Sequence, residues 1–377
     1  MAAPGAITFW GWVATFEGEG VSPAFEKRWI TTDGMSIQDT GRTKPDAYDY
    51  TGVVVPTFED AHCHLADRRL AVPPGSAMPA VVAPPDGLKH KYLKEAPRAE
   101  VVDSIREGLE DLVGCGVTRA HEFREGGIEG VRAFREAFGK LGAAKRGYLA
   151  PVLLGRPGSP GARPEDEKAF FQKMRRLLAI CDGIGLSGMS DGDPLWNAEV
   201  VRFAKREGKR VEVHMSESKR EDVRGALEAG VQQLEHMVAA TPDDLKEVAN
   251  RAAQVAVCTR SNEFFGLRAP VEEMVRQHVD IRIGTDNAFL GPPDMFEEAR
   301  AFARVHKAKS GLKPAEILSF LFARKDINGG RAIGPLEATR PDFLIITIQT
   351  ERPERDLIAK AKRDDVAAVV GAHGGLG

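Results

Sequence analysis

Between Tyr50 and Asn287 the sequence alternates short apolar runs with segments of helical spacing, and no other feature limits its folding options as much. The runs are "YTGVVVPTFEDAHCH", "VTRAHEF", "RGYLAPVLLG", "GIGLSG", "RVEVHMSE", "VQQLEHM", "QVAVCTRS" and "DIRIGTDN". They are brief and bounded by turn residues, as strands are. The stretches between them carry apolar residues three or four positions apart. In "EVVDSIREGLEDLVGCG" these are Val101, Ile105, Leu109 and Leu112, and the helix is expected to stop at Gly114 or Gly116. Strands separated by helices pair in parallel, with the helices as crossovers. Eight such units predict an α/β fold, a (β/α)8 TIM-like barrel, which needs about 250 residues. An open doubly wound sheet is the alternative, but no GxGxxG follows an early strand.

The two ends break the alternation. "AITFWGWVATF", "KRWITTDG" and "MSIQDT" near the start, and "PDFLIITIQ" and "DDVAAVVGA" near the end, read as strands. Residues 1–55 and 336–377 are therefore expected to build one small β-sandwich side domain beside a barrel over residues 56–335.

Bulk properties remove several function classes. A net charge of −3 gives no footing for nucleic acid or an anionic membrane as partner. No apolar run approaches the roughly 20 residues of a membrane span. "MAAPGAITFW" lacks a basic segment followed by a long apolar core, so no signal peptide is expected. Cys63, Cys115, Cys181 and Cys258 are scattered without a CxxC pair, which suits reduced thiols in a cytoplasmic protein. The expected partner is a small molecule, and a homo-oligomer is compatible with the composition.

In a barrel of this kind the reactive groups sit at the C-terminal ends of the strands. The first run ends in His62 and His64, two positions apart, which puts both imidazoles on one face and Cys63 on the other. "RVEVHMSE" places His214 at a strand end with Glu217 three residues on, "VQQLEHM" ends at His236, and "DIRIGTDN" carries Asp286 near its end. A single strand-end histidine is ordinarily a hydrogen-bonded core residue. Four histidines and a carboxylate converging on one rim are more specific, and they suggest a metal.

These residues carry a resemblance. HxH in "DAHCHL", HxxE in "HMSE", the histidine of "LEHM", the run "CTRSN" and "GTDN" together resemble the amidohydrolase superfamily. The match is with its aminohydrolase branch of cytosine-, guanine- and adenosine-type deaminases and triazine hydrolases. "RAHEFREGG" and "GLKHKYL" are similar to stretches of uncharacterised archaeal members. The resemblance spans roughly residues 50–300. It implies one divalent metal ion per chain, zinc with iron as the alternative, held by His62, His64, His214 and Asp286. It also implies a metal-activated water that attacks a heterocycle. Asp286 would accept a proton from that water, Glu217 would carry it to the ring nitrogen and leaving amine, and His236 would polarise or hydrogen-bond the attacked centre or the metal-bound water. "DGIGLSGMSD" lacks the lysine that bridges two metals in some relatives, which favours one ion. The family's run into the last β segment reads "IGPLEATRPDFLIITI" here, keeping Asp342 but not the family's lysine and alanine.

Weaker candidates remain. His121 and Arg124 near the end of the second strand are candidate substrate contacts, with a structural histidine and an Arg124–Glu125 salt bridge as the bland alternatives. Lys89 and His90 lie in the Pro/Gly-rich stretch "AVPPGSAMPAVVAPPDGLKHKYL", which is placed to act as a lid, and Asn287 adjoins Asp286. His278, His306 and His373 are expected at the surface. The leading expectation is a hydrolase that deaminates a small nitrogen heterocycle. The alternatives are ring opening of a cyclic amide, as in imidazolonepropionase-like enzymes, and a binding protein that has lost catalysis. An intact Glu217 argues against the last.

Overall fold

The computed structural model describes residues 6–16, 22–34, 36–158, 163–323, 342–371 and 375–376. The sequence before the histidines forms four strands, β1 (Ile7–Thr15), β2 (Ala24–Thr32), β3 (Ile37–Gly41) and β4 (Tyr50–Pro56). The barrel strands follow: β5 (Phe58–His64), β6 (Val117–Arg124), β7 (Ala150–Gly155), β8 (Gly183–Leu186), β9 (Arg210–Met215), β10 (Gln233–His236), β11 (Gln254–Val257), β12 (Asp280–Ile283) and the two-residue β13 (Asp286–Asn287). Near the end come β14 (Phe343–Ile346), β15 (Val366–Gly371) and β16 (Gly375–Leu376).

β5 to β12 pair in chain order, all in parallel. Closure comes from β13. Past β12 the chain runs through Gly284 and Thr285, then sets Asp286 opposite Cys63 and Asn287 opposite His64 on β5. Asp60 fixes this joint, accepting hydrogen bonds from the Thr285 amide at 2.9 Å and its hydroxyl at 2.6 Å. Gly284 is needed there, because a Cβ would fall 2.8 Å from the His62 backbone. The short strands β10, β11 and β12 are almost fully buried, as expected where helices cover one side and barrel contents the other. This TIM-like barrel matches the expectation from the alternation.

The run "YTGVVVPTFEDAHCH" is not one strand. It divides at Thr57 between two sheets, because β4 pairs with β1 and β14 while β5 enters the barrel. The terminal strands share a single seven-stranded sheet, ordered β16-β15-β14-β4-β1-β2-β3. Apolar residues on β4 alternate faces, so Val53 and Val55 pack with the barrel core while Val54 joins Phe9, Val13, Ile30, Phe343 and Ile345 in a separate cluster. Residues 324–341, including most of the departure run, and His373 lie outside the described residues.

Other expectations need correction. The Pro/Gly-rich stretch carries two short helices, Met78–Val82 and Leu88–Glu95. His306 is buried on the helix Met295–Ser310 and packs on Phe302, because that helix turns this face to the core; His278 is exposed as expected. Among the described residues, no helix is long and apolar enough to cross a membrane.

Candidate active site

Four of the barrel strands deliver side chains to one cluster at the C-terminal rim. His62 and His64 project from β5, His214 from β9, His236 from β10 and Asp286 from β13. His62 Nε2 lies 3.3 Å from Asp286 Oδ1, and His64 Nε2 lies 3.3 Å from His214 Nε2 and 3.6 Å from Asp286 Oδ1. Ligand atoms of His62, His214, His236 and Asp286 all fall within 4.8 Å of one another. This close group includes His236 and omits His64, which touches two of its members. Phe123 supports the cluster from below, its ring 4.4 Å from that of His62.

The group fits a cation. His62 Nε2, His236 Nε2 and Asp286 Oδ1 are buried without a hydrogen bond among the described residues. Polar atoms in that condition are costly unless something else satisfies them. Burial drives His62 down, His214 well below its ordinary value, and His64 to about 3, so the imidazoles are neutral, the form that binds metal. Burial pushes the Asp286 carboxyl up, but the close approach of His62, with His236 and His64 nearby, outweighs it and holds the group well below the carboxylate range. The backbone is strained at the same place, with φ of +68° at His236, +61° at Asp286 and +50° at Ser216, a region that non-glycine residues seldom occupy.

A model of the amidohydrolase family matches residues 53–321. The chain belongs to the amidohydrolase family. It is a hydrolase acting on carbon–nitrogen bonds. A protein of Methanothermobacter thermautotrophicus provisionally named as an aminohydrolase is 27% identical over 338 residues, covering 85% of this chain and 86% of the relative. A 5′-deoxyadenosine deaminase of Methanothrix thermoacetophila is 27% identical over 318 residues, covering 76% of this chain and 73% of its own. In fold, the guanine deaminase of E. coli superposes with a TM-score of 0.71 at 14% identity, covering 99% of both chains.

Around the metal-binding candidates, this amidohydrolase builds an orienting layer that the sequence reading largely passed over. His214 Nδ1 donates to the Leu186 carbonyl at 2.9 Å, and His236 Nδ1 meets Asn262 Oδ1 at 3.1 Å. The Ser261 hydroxyl donates to Asp286 Oδ2, and Glu125 Oε1 lies 3.0 Å from His64 Nδ1. Such partners fix ring orientation and tautomer. Ser261 and Asn262 did carry a signal, since both stand in "CTRSN". Glu125 stands in "RAHEFREGG", where the expected pairing with Arg124 was legible but the contact with His64 was not.

A cavity of about 260 Å³ opens beside the group, lined among others by Lys89, His90, Glu217, His236, Asp286 and Asn287. Lys89 Nζ donates to Asn287 Oδ1 at 2.7 Å and pairs with Glu125 at 3.1 Å and Asp67 at 3.4 Å, pinning the covering segment to the rim. His90 Nε2 lies 3.1 Å from the Val82 carbonyl. Glu217 Oε1 is 3.6 Å from His236 Nε2, and burial raises its carboxyl above the ordinary value against the lowering effect of His236. Glu217 does not cap the next helix; Asp222 does, accepting from the Gly225 amide at 3.0 Å.

Two expected substrate contacts do not line this cavity. β6 runs on past His121 to Arg124, so Phe123 supports the site and His121 sits one layer lower. There its two ring nitrogens bond Glu212 at 2.8 Å and Glu59 at 3.0 Å. Burial opposes its protonation, but the two carboxylates prevail and raise it. Arg124 is buried between Glu122 at 2.9 Å and Glu125 at 2.7 Å, so it positions Glu125 rather than reaching the cavity.

Proposed function

We propose that this protein is a mononuclear metal-dependent deaminase of a small nitrogen heterocycle. Glu217 carries the reading: a carboxyl with raised proton affinity on the wall of the cavity that also holds the histidine–aspartate group. Binding a metal needs no such acid. Deamination does, because a ring nitrogen must gain a proton as the amine leaves. The likeness to a 5′-deoxyadenosine deaminase supports the same chemistry.

In this reading His62, His64, His214 and Asp286 hold one divalent ion, zinc with iron as the alternative, and His236 faces the attacked carbon. The bound ion supplies Lewis-acid activation of water near neutral pH. Asp286 accepts the proton of the attacking water at Oδ1 while Ser261 holds Oδ2. Glu217 gives its proton to the ring nitrogen, takes the proton of the carbon-bound hydroxyl as the carbonyl forms, and gives that one to the amine, which departs as ammonia; the proton held by Asp286 then restores Glu217. Asn262 keeps His236 Nε2 turned inward through its bond to Nδ1. Met78, Pro79, Val82 and Pro84 give the cavity an apolar cover against bulk water. Strand β8 offers no lysine to bridge a second ion. The side sheet is read here as a β-sandwich closing over its Phe9–Val54–Phe343 cluster, with units at 1–55, 56–335 and 336–377, in a cytoplasmic protein.

The test is ammonia release across purines, pyrimidines, pterins and triazines, with metal-loaded and chelated protein. Metal-dependent ammonia supports deamination. A new carboxylate without ammonia shows ring opening, and metal binding without any product leaves a binding protein.

A further inference from the structure

A second cavity of about 840 Å³ adjoins the first and shares Pro84, His90, Glu125 and Arg156 with it. We propose that the substrate carries a phosphoryl group, seated in this outer cavity by Arg156 and the start of the helix Gly127–Lys140. The proposal rests on the deaminase reading of the inner cavity.

Arg156 directly follows β7, at the reactive rim of the barrel. It is 7% exposed, and its Nε has no hydrogen-bond partner among the described residues. Its guanidinium stands 3.9 Å from Glu125 Oε1, an oxygen already shared by His64 at 3.0 Å and Lys89 at 3.1 Å. Guanidinium groups this buried are ordinarily well paired, and this one lines two joined cavities with its Nε unpartnered among the described residues and Glu125, at 3.9 Å, as its ion partner.

The helix start is the second part. Gly126 and Gly127 take φ of +84° and +58°, and no side chain caps the amides of the first turn. Those amides have no partner within the helix and carry the positive end of its dipole. Gly127 sits against Arg156: a Cβ there would lie 3.7 Å from the Arg156 carbonyl.

Charge decides what such a seat prefers. The outer cavity is lined by Arg132, Arg156, Lys173 and Arg176 against Glu125 and Glu129. Arg132 is neutralised by Glu129 at 2.6 Å, whereas Lys173 and Arg176 form no ion pair among the described residues. The net excess of two positive charges matches a phosphomonoester, which carries about −1.5 to −2 charge and three acceptor oxygens. A carboxylate would leave donors unmatched. The inner cavity is bounded by the histidine–aspartate group and Glu217, so the heterocycle takes that cavity and the phosphoryl group the outer one.

Two measurements on the metal-loaded protein test this. In the first, inorganic phosphate is titrated by calorimetry and by melting temperature, against chloride at matched ionic strength. Wild type is expected to bind phosphate. Arg156→Gln and the exposed double variant Lys173→Glu, Arg176→Glu are expected to lose at least tenfold in affinity, the second guarding against misfolding of the first. Phosphate binding unchanged in both variants, or a response equal to that of chloride, overturns the site. In the second, kcat/KM is compared for nucleosides and their 5′-monophosphates. The phosphorylated form is expected to be favoured by about 10²-fold, the worth of one or two charged hydrogen bonds, with the preference collapsing in the double variant. Equal turnover of both forms refutes the phosphoryl substrate and leaves the deaminase standing. Arg156-dependent phosphate binding without ammonia from any substrate supports the anion seat and removes the deaminase.

Discussion

Replacing Glu217 by glutamine keeps the side chain's shape and its hydrogen-bonding reach while removing its transferable proton. The surroundings suit the exchange. The loop that carries Glu217 is held by its neighbours, since Glu221 accepts from the Ser216 amide at 2.9 Å and from the Ser190 hydroxyl at 2.7 Å, and the Ser216 hydroxyl accepts from the Glu221 amide at 3.1 Å. Among the described residues no hydrogen bond of the fold depends on the Glu217 carboxylate itself, which stands 3.6 Å from His236. Stability should therefore change little. The chemistry should change greatly. A positioned acid/base contributes about 10²–10⁴-fold, equivalent to about 2.7–5.5 kcal/mol of barrel-rim transition-state stabilisation. The assay is steady-state ammonia release on the best substrate of the panel, with metal content and melting temperature read on the same preparation. The expected result is a kcat lower by 10²–10⁴-fold with metal and melting temperature preserved. Turnover within about threefold of wild type, with metal bound, would refute the assigned proton role.

Chelation should abolish turnover and lower the melting temperature, with both recovering on zinc addition; His64→Ala and His236→Ala assayed for metal separate the two candidate ligand sets, the first losing the ion and the second keeping it if His64 is a ligand. Gly284→Ala should displace His62, because its new Cβ falls 2.8 Å from the His62 backbone, and metal content should drop more than secondary structure measured by circular dichroism. His121→Phe strips Glu59 and Glu212 of a buried partner and should cost about 3–5 kcal/mol in urea unfolding, without altering KM in the folded fraction. Glu298 is fully buried, and burial raises its carboxyl from 4.5 to about 8, so between those values the folded chain keeps a proton that the unfolded chain gives up. Its contribution is complete below pH 4.5 and lost as pH rises to about 8, and Glu298→Gln should flatten that part of the melting-temperature profile.

Strand identity was legible wherever a run was short, apolar and bounded by glycine, because parallel strands covered on both sides permit little else. All eight expected barrel strands are present, and so is the convergence of four histidines and Asp286, since strand ends in a closed barrel must meet at one rim. Two things escaped. Thr57 carries no mark of a sheet-to-sheet transition, as valines on both sides of a sheet look the same whichever sheet they join. The depth of His121 escaped because its strand extends to Arg124, and strand ends are set by pairing partners far away in the chain. The orienting roles of Glu125 and Leu186 follow from packing between separate strands and could not be read locally.

The division at Thr57 has a consequence for how the chain is made. A ribosome releases β1, β4 and β5 early, but β14, which pairs with the other side of β4, only near the end. Until then one edge of β4 offers an unpaired ladder along Val53, Val54 and Val55. The nascent chain thus carries a β-prone apolar edge until β14 emerges, directly upstream of the strand that bears His62 and His64. A stalled or shortened product would keep that edge and could pair with another chain there, so aggregation should track completeness of translation as much as the stability of the finished fold.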